Sequence, residues 1–254
     1  MYDIVIVGAG IAGLTAAIYS RRAGKSVLVL EGKVYGGQII NTFSIENWPG
    51  DYKVSGVDLM KKIYQQAVDL GAEVEFDEVI GIEKTDKEFL IKAEDEEYMA
   101  KVVILAMGTE PRKLSEKQAK YAGTLAISSC ATCDGALYKG KPVVVVGSGN
   151  TAKYEMKYLE DIASKVYHIH HDDPIPEDVV AVFVAIGRVP NTKFLRGFVD
   201  LDKEGYVMAG EDCKTSLEGV YVAGDCRTKG VRQLVTAAGD GAVAVEAAVK
   251  YLSK

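Results

Sequence analysis

Short apolar runs alternate along the chain with segments in which apolar residues recur at helical spacing. The runs, each typical of a strand buried on both faces of a parallel sheet, are residues 2–7, 27–30, 102–106, 142–146 and 179–186. Helices are predicted over residues 56–70 and 231–252. Residues 73–105 alternate between apolar and polar positions, which indicates strands joined by turns. This succession of elements predicts an α/β fold.

A glycine-rich turn lies between the first two apolar runs. The strand at 2–7 is followed by GAGIAG at 8–13 and then by a helical pattern, and the strand at 27–30 ends in Glu31. Strand, GxGxxG, helix, strand and acid in this order are typical of a dinucleotide site, because glycines let the backbone approach a pyrophosphate and the acid bonds a ribose. The carboxylate of Glu31 favours a free 2′-hydroxyl, hence FAD or NAD over NADP. A turn that only packs helix on strand is the alternative.

The segment Cys130-Ala131-Thr132-Cys133-Asp134 carries the clearest redox chemistry. Two cysteines at this spacing can close a small disulfide and pass two electrons by thiol–disulfide exchange. The segment is predicted to begin a helix, whose N-terminus lowers the pKa of a thiol. Asp134 is a candidate acid–base for the thiols or a helix cap. A zinc site with Cys213 and Cys226, a pair of structural thiols and a regulatory disulfide remain alternatives.

A second dinucleotide turn follows the redox segment. The strand at 142–146 leads into GSGNTA at 147–152, which opens a helix, and a further strand is predicted at 165–169. An NADP site needs cations at the end of that strand, but the chain has His170-His171-Asp172-Asp173 there. No helical pattern precedes the strand at 179–186, although a parallel crossover usually needs about a dozen residues or more. Half of a nucleotide-binding domain is therefore expected to be absent.

Polar residues suited to a flavin or a sugar stand in three other places. Gln38 and Asn47 lie in an irregular, turn-rich segment, where their amides could bond a flavin's polar edge or other atoms of the loop. Asp225 follows a glycine at a strand end and suits the hydroxyls of a ribityl chain. Arg232 and Gln233 stand at the start of the last helix, where donors would hold a pyrimidine ring.

Composition narrows the classes of protein and partner. The chain is 48% hydrophobic and 26% charged, as in soluble globular proteins. Its net charge of −6 disfavours nucleic acid as a main partner. The sequence has no signal-peptide pattern and no apolar run of about 18 residues. We therefore expect no membrane span and a cytoplasmic location. Four cysteines do not resemble a secreted disulfide framework.

Taken together, these motifs resemble a known family. The two GxGxx[GA] turns, CATCD between them, and AIGRVPNT and GDC…RQ…AAGDG after them are similar to a thioredoxin reductase of the low-molecular-weight, FAD-dependent class. The resemblance covers nearly the whole chain. It implies a doubly wound, three-layer, Rossmann-like FAD domain formed by residues 1–111 and 191–254, with an inserted second nucleotide-binding-like domain at 112–190 that carries the CxxC and is truncated here.

The resemblance also implies roles for individual residues. Cys130 and Cys133 would form the active disulfide over the flavin, with Asp134 as proton donor. FAD would be bound by Gly8, Gly10, Gly13, Glu31, Gly36, Gly37, Gln38, Asn47, Asp225, Arg232 and Gln233. No metal site is implied. The family is homodimeric and passes electrons from NADPH through FAD to the disulfide and then to thioredoxin.

The chain departs from the family where the NADPH 2′-phosphate is bound. A His-Arg-Arg-Asp-type segment is expected there, and both arginines are missing from the aligned stretch at 170–173. In this the chain resembles family members that take electrons from ferredoxin or another donor. We therefore expect a flavin-dependent reductase of a thioredoxin-like protein with a donor other than NADPH. An NAD(P)H-dependent reductase with a minimal nucleotide domain and a flavin redox sensor or partner-binding protein without turnover are the alternatives.

Overall fold

A computed structural model describes residues 1–32 and 34–254, the side chains of residues 121 and 122 excepted. The chain forms two compact units. The first unit consists of Met1–Thr109 together with Pro190–Lys254, and the second unit is the inserted segment Glu110–Val189.

The first unit is built on a seven-stranded sheet. Its elements before the insertion are β1 (Tyr2–Val7), α1 (Ile11–Arg22), β2 (Val27–Leu30), α2 (Gly56–Asp69), β3 (Glu73–Glu75), β4 (Val79–Lys84), β5 (Phe89–Ala93) and β6 (Glu97–Leu105). The strand order is β3-β2-β1-β6-β5-β4. Pairing is parallel from β3 to β6 and antiparallel from β6 to β4. The strands expected from the apolar runs and from the alternating segment are confirmed.

The second unit contains a four-stranded sheet of order β10-β9-β11-β8, in which every neighbouring pair is parallel. Its elements are β7 (Thr109–Pro111), α3 (Glu116–Ala122), β8 (Ala126–Ser128), α4 (Ala131–Asp134), β9 (Pro142–Val146), α5 (Asn150–Glu160), β10 (Lys165–Ile169), β11 (Ala181–Val184) and β12 (Arg188–Pro190). The strands β7 and β12 pair where the chain enters and leaves the insertion.

The chain then completes the first unit with β13 (Val220–Val222) and α6 (Leu234–Leu252). The strand β13 lies parallel to the last part of β6, with Val222 opposite Leu105. The carboxyl ends of β1, β2, β6 and β13 therefore meet at one edge, where doubly wound folds bind their ligands. None of the helices in the described residues is both long enough and apolar enough to cross a membrane.

Helix α1 is buried on nearly all sides because α6 packs closely on it. Small residues permit this contact: a Cβ on Gly241 would lie 2.4 Å from the carbonyl oxygen of Ala12. The two helices and α2 share one apolar core with β1 and β6. Side chains on the opposite face, including those of β4 and β5, form a second apolar core with Leu195, Val199 and Val207. The small residues of the last helix thus pack mainly on another helix.

The crossover from β10 to β11 is short but well packed. It occupies residues 170–180 and contains no helix, as the sequence predicts, and it passes β9. Ile175 and Val179 are buried against one face of the four-stranded sheet. The buried Gln118 side chain donates hydrogen bonds to the carbonyls of His170 and Asp173 at 3.0 and 3.1 Å. Apolar burial and these bonds give the shortened connection a defined conformation.

Candidate functional site

The turn after β1 forms a cradle with one open position. Gly8 has φ +106°, and a Cβ there would lie 2.5 Å from the carbonyl oxygen of Ala106. A Cβ on Gly13 would lie 1.9 Å from the carbonyl oxygen of Gly8. At Gly10 a Cβ would meet nothing within 4 Å among the described residues. Two glycines are therefore required by packing, and the third leaves the backbone accessible to a ligand.

The N-terminus of α1 points its free amides into this cradle. Gly10 is the N-cap and provides no side-chain cap, and the first turn contains no acid, so the amides suit an anion such as a pyrophosphate. The Glu31 carboxylate accepts the amide of Ala9 at 2.8 Å. Gly36 donates its amide to the Ala9 carbonyl at 2.8 Å, and Gly37 lies against Gly10. The predicted dinucleotide-binding residues of this region converge.

The residues predicted to contact the polar edge of the flavin form two separate sets of hydrogen bonds. The Asn47 amide donates to the Gln233 side-chain oxygen at 3.1 Å, which joins residues distant in sequence. The Gln38 amide donates to the carbonyl of Thr109 at 2.7 Å. Gln233 is the N-cap of α6 and forms a capping box with Thr236. The helix start expected near residue 231 therefore lies at Leu234.

Arg232 and Asp225 are also brought together. The Arg232 guanidinium donates to the backbone carbonyls of Asp225 and Arg227, both at 3.3 Å. It lies over the ring of Tyr206, 4.3 Å from the ring centroid. These contacts hold Arg232 beside the turn after β13. The groups in this unit, with an open glycine turn and a helix N-terminus, fit a dinucleotide carrying hydroxyls and a polar ring.

A buried charge cluster supports that turn, and sequence reasoning missed it. Asp240 on α6 accepts two bonds from the Arg227 guanidinium at 2.9 and 3.0 Å and one from Lys229 at 2.7 Å. It also accepts the Gly224 amide at 2.9 Å. Burial raises the pKa of Asp240, but the bonds from Arg227 and Lys229 outweigh burial and hold that pKa below its usual value. An acid in a helix of small residues is the signal that could have revealed the cluster.

In the second unit, Cys130 and Cys133 form a disulfide with a Cα–Cα distance of 5.3 Å. Cys130 is the N-cap of α4, so the predicted helix exists, but it is a single turn that continues as a 3-10 turn at Gly135–Tyr138. The Ser128 hydroxyl donates to the Asp134 carboxylate at 2.6 Å and accepts the Cys130 amide at 3.1 Å. Ser128 thus joins the proposed proton donor to the redox pair.

A second acid lies behind the disulfide turn and was also missed. Glu155 on α5 is 6% exposed, and its carboxylate accepts the backbone amide of Ala131, between the two cysteines. Burial raises the pKa of Glu155 to about 7, although the Ala131 amide and the Arg188 guanidinium act in the opposite direction. Glu155 stands between Ala152 and Leu159 at the spacing of a buried helix face, which is the signal that could have identified it.

The other two cysteines lie in the first unit and are buried. Burial raises the pKa of Cys213 to about 11 and that of Cys226 to about 12. Neither thiol ionises near neutral pH. The zinc alternative is not supported, because Cys130 and Cys133 are bonded to each other.

The second dinucleotide turn repeats part of the first cradle. A Cβ on Gly147 would lie 2.3 Å from the carbonyl oxygen of Ala185, whereas a Cβ on Gly149 would meet nothing within 4 Å among the described residues. Gly149 caps α5 without a side-chain bond. At the end of β10, His171 and Asp172 are exposed and face each other at 3.4 Å. The turn is kept, but a carboxylate stands where a phosphate would need a cation.

Comparison with known proteins agrees with these features. The model of the family "Pyridine nucleotide-disulphide oxidoreductase" matches residues 2–180 and 172–241. The thioredoxin reductase of Bacillus subtilis (strain 168) is 32% identical over 302 aligned positions, which cover all of this chain and 96% of that protein. Since this chain has 254 residues, 302 minus 254 leaves at least 48 aligned positions that it lacks. The two stretches matched by the family model overlap at residues 172–180, which lie within the short crossover.

Solved structures give the same result. The thioredoxin reductase of Streptococcus pyogenes MGAS5005 is 31% identical, with a TM-score of 0.91 over 100% of this chain and 98% of that one. A ferredoxin-flavin thioredoxin reductase of Clostridium acetobutylicum is 28% identical, with a TM-score of 0.64 over 99% and 97% of the two chains. The resemblance inferred from the motifs and the expected α/β, Rossmann-like fold class are confirmed.

Proposed function

We propose that this chain, a member of the pyridine nucleotide-disulphide oxidoreductase family, reduces a thioredoxin-like protein with electrons from a donor other than NADPH. It is an FAD-dependent disulfide oxidoreductase of the thioredoxin reductase type. Ferredoxin or a similar one-electron protein is the proposed donor. The observation that carries the proposal is the second unit, which keeps the disulfide but has a short, acidic crossover after β10.

The cradle of the first unit is the proposed FAD site. Gly8, Gly10 and Gly13 would receive the pyrophosphate at the N-terminus of α1, with Gly36 and Gly37 beside them. Glu31 would bond the adenosine ribose. The remaining proposed contacts, to the ribityl chain and the polar edge of the flavin, come from Gln38, Asn47, Asp225, Arg232 and Gln233.

FAD, when bound, supplies the electron pair that reduces the disulfide. The disulfide bond between Cys130 and Cys133 breaks as the two sulfur atoms accept two electrons and one proton. One thiol and one thiolate result. Asp134, held by the Ser128 hydroxyl, is the proposed proton donor. The thiolate then attacks the disulfide of the acceptor, and the second cysteine resolves the mixed disulfide.

Two features of the second unit support a donor other than NADPH: the negative charge after β10 and the shortened chain. An NADPH site needs cations for a 2′-phosphate, and the residues after β10 instead include Asp172, which is exposed, and Asp173, whose carboxylate accepts the His170 amide at 2.8 Å. At least 48 positions aligned with the Bacillus subtilis protein have no counterpart in this chain, and the two family matches overlap within this crossover. The neighbour named a ferredoxin-flavin thioredoxin reductase supports a protein donor.

Turnover with purified components tests this proposal. The FAD-loaded protein is mixed anaerobically with a thioredoxin and with reduced ferredoxin, NADPH or NADH, and free thiols on the thioredoxin are counted over time. We expect thiols with ferredoxin and only background with NADPH. Cys130→Ser should abolish thiol formation while FAD stays bound. Rapid turnover with NADPH at low KM contradicts the proposed donor, and activity of Cys130→Ser contradicts the role of the disulfide.

NADH is the second candidate donor, favoured by one observation. The turn Gly147–Gly149 keeps an open glycine and an uncapped helix N-terminus, and NADH carries no 2′-phosphate. Anaerobic titration with NADH, monitored by loss of the flavin absorbance, separates the candidates. Stoichiometric bleaching by NADH favours this alternative.

We also propose that the protein is a homodimer, as the resemblance implies, and that it acts in the cytoplasm, as the lack of a signal-peptide pattern indicates. Sedimentation equilibrium of the FAD-loaded protein measures the oligomeric state, and a monomer at all concentrations contradicts the first proposal. Fractionation of the source cells tests the second.

A further inference from the structure

Helix α5 carries a charged residue on the face that it buries. Ala152, Glu155 and Leu159 form that face, and all three are buried. Ala152 and Leu159 belong to the apolar core beneath the sheet, which also includes Ala131. An acid at such a position costs stability unless it is bonded or protonated, so its presence calls for a role.

The Glu155 carboxyl is bonded on one side only. One interaction is with the backbone amide of Ala131, between the two cysteines, while Oε2 is buried and has no hydrogen-bond partner in the described part of the chain. The guanidinium of Arg188 is the charge that acts on it. Arg188 also donates to the Ser129 hydroxyl at 3.2 Å, directly before Cys130. The acid and its cation thus lie on either side of the start of the disulfide turn.

The contact between α5 and this turn is tight. A Cβ on Gly135 would lie 3.1 Å from the side chain of Leu159 and 3.3 Å from the ring of Tyr158. Ala131 and Gly135 are buried in this turn, and the two cysteines are half-buried. When the disulfide is reduced, a thiolate places a new negative charge on the turn whose amide Glu155 already binds. Two like charges in a low-dielectric site favour protonation of one of them.

We propose that the buried carboxyl of Glu155 compensates the charge of the redox pair: it takes up a proton from water as the Cys130–Cys133 disulfide is reduced, and releases it when the disulfide forms again. Glu155 is a positioning residue that acts through the turn. The inference rests on the proposed role of the pair as the redox-active disulfide.

The chemistry balances. The disulfide bond breaks as two electrons, supplied by the flavin of the proposed reaction, and one proton produce a thiol and a thiolate. A second proton converts the Glu155 carboxylate to the acid. The oxidised site carries one negative charge on Glu155, and the reduced site carries one on sulfur, so the net charge of this buried region does not change. A raised pKa near 7 places Glu155 where such uptake occurs at neutral pH.

Other titratable groups on the elements around α5 have contacts of their own. They include Asp134, the proposed proton donor, with Ser128, Lys165 with Tyr167, His168 with the Gly147 carbonyl, and Tyr138 against the ring of Phe183. Arg188 stays charged throughout the accessible pH range. Glu155 is therefore the group whose protonation we expect to change with the redox state of Cys130 and Cys133 near neutral pH.

Infrared difference spectroscopy of the FAD-loaded protein tests this directly. The disulfide is reduced with dithiothreitol under anaerobic conditions, and the spectrum of the oxidised protein is subtracted. We expect a new carboxylic-acid C=O band at about neutral pH that shifts in D₂O, is absent from Glu155→Gln and is retained in Glu160→Gln. Glu160 is an exposed acid on the same helix. No such band in a wild-type protein whose thiols are reduced overturns the inference.

The reactivity of the thiols provides a second measurement. Because a charged Glu155 opposes thiolate formation, the neutral Glu155→Gln variant should react with iodoacetamide about threefold to tenfold faster than wild type at about pH 8. Its rate–pH profile should lose the step due to Glu155. Identical profiles for the folded variant and the wild type contradict the inference.

Failure of the two proposals looks different. A pair that stays oxidised in dithiothreitol contradicts the proposed function and with it this inference. A reduced pair that shows the acid band but does not reduce thioredoxin contradicts the proposed function alone. A pair that reduces thioredoxin without the acid band contradicts only the role of Glu155.

Discussion

Asp240 holds together the turn that precedes the proposed flavin contacts, and its removal is the sharpest stability test of the first unit. Its carboxylate is almost fully buried and accepts bonds from Arg227, Lys229 and the Gly224 amide. The Asp240→Asn variant keeps the size of the side chain and removes its charge. The buried side chains of Arg227 and Lys229 then lose the carboxylate that they share. The other acid near Arg227 is Glu211, which is exposed and lies 3.6 Å away.

The expected loss can be estimated from the type of interaction. Removing one partner of a buried ion pair costs about 3–5 kcal/mol, because the other charge stays buried without compensation. For a chain of this length each kcal/mol corresponds to about 2–4 °C in the midpoint of thermal unfolding. We therefore expect Asp240→Asn to lower the Tm of the first unit by about 6–20 °C. FAD should also bind more weakly, because the uncompensated Arg227 and Lys229 disturb the turn whose Gly224 amide Asp240 accepts.

Calorimetry together with flavin fluorescence measures both effects. Asp212→Asn is the matched control: Asp212 pairs with Lys214 at an exposed site, where ion pairs contribute about 1 kcal/mol or less. The double variant Asp240→Asn/Lys229→Met should recover part of the loss, because it removes one unpaired cation. A Tm for Asp240→Asn equal to that of the control would mean that Asp240 does not stabilise this turn.

Further predictions concern the glycine turn, the free thiols and the buried acid. Gly13→Ala should destabilise the first unit by about 3 kcal/mol or more in urea unfolding, because its Cβ would overlap the Gly8 carbonyl. Gly10→Ala should leave the stability of the FAD-free protein within about 1 kcal/mol but weaken FAD binding in a fluorescence titration; unchanged affinity contradicts the assigned cradle. In the native, reduced protein iodoacetamide should label only two of the four cysteines, since the raised pKa values of Cys213 and Cys226 keep those thiols protonated; labelling of either one contradicts this. Glu155 holds its proton in the fold at pH values where the unfolded chain releases it. Its contribution to stability is thus complete below about pH 4.5 and lost as the pH rises to about 7, and Glu155→Gln should flatten that part of the stability–pH curve.

The flavin cradle was predictable from the sequence because its constraints are local. Gly8, Gly13 and Glu31 act within one strand–helix–strand unit, and the turn that brings them together is encoded by the same residues. The short crossover was predictable for a similar reason: between β10 and β11 the chain has no helical pattern, and the structure has no helix there.

The two buried acids were not predictable in the same way. Asp240 and its partner Arg227 are separated by 13 residues, and they meet only because α6 docks beside the turn after β13. Glu155 lies on a helix with several charged residues, where an acid usually faces water. The spacing of Ala152 and Leu159 places Glu155 on a buried helix face, but its contact with the disulfide turn depends on the tertiary packing of α5.

In the proposed function, electrons reach the flavin from a protein donor and not from NADPH. Rapid mixing of the oxidised, FAD-loaded protein with NADPH or with reduced ferredoxin, under anaerobic conditions, measures the rate of flavin bleaching by each donor directly. We expect bleaching by reduced ferredoxin at least as fast as steady-state thioredoxin reduction, and bleaching by NADPH too slow to support turnover. Fast, saturable bleaching by NADPH with no reaction with ferredoxin would contradict this expectation.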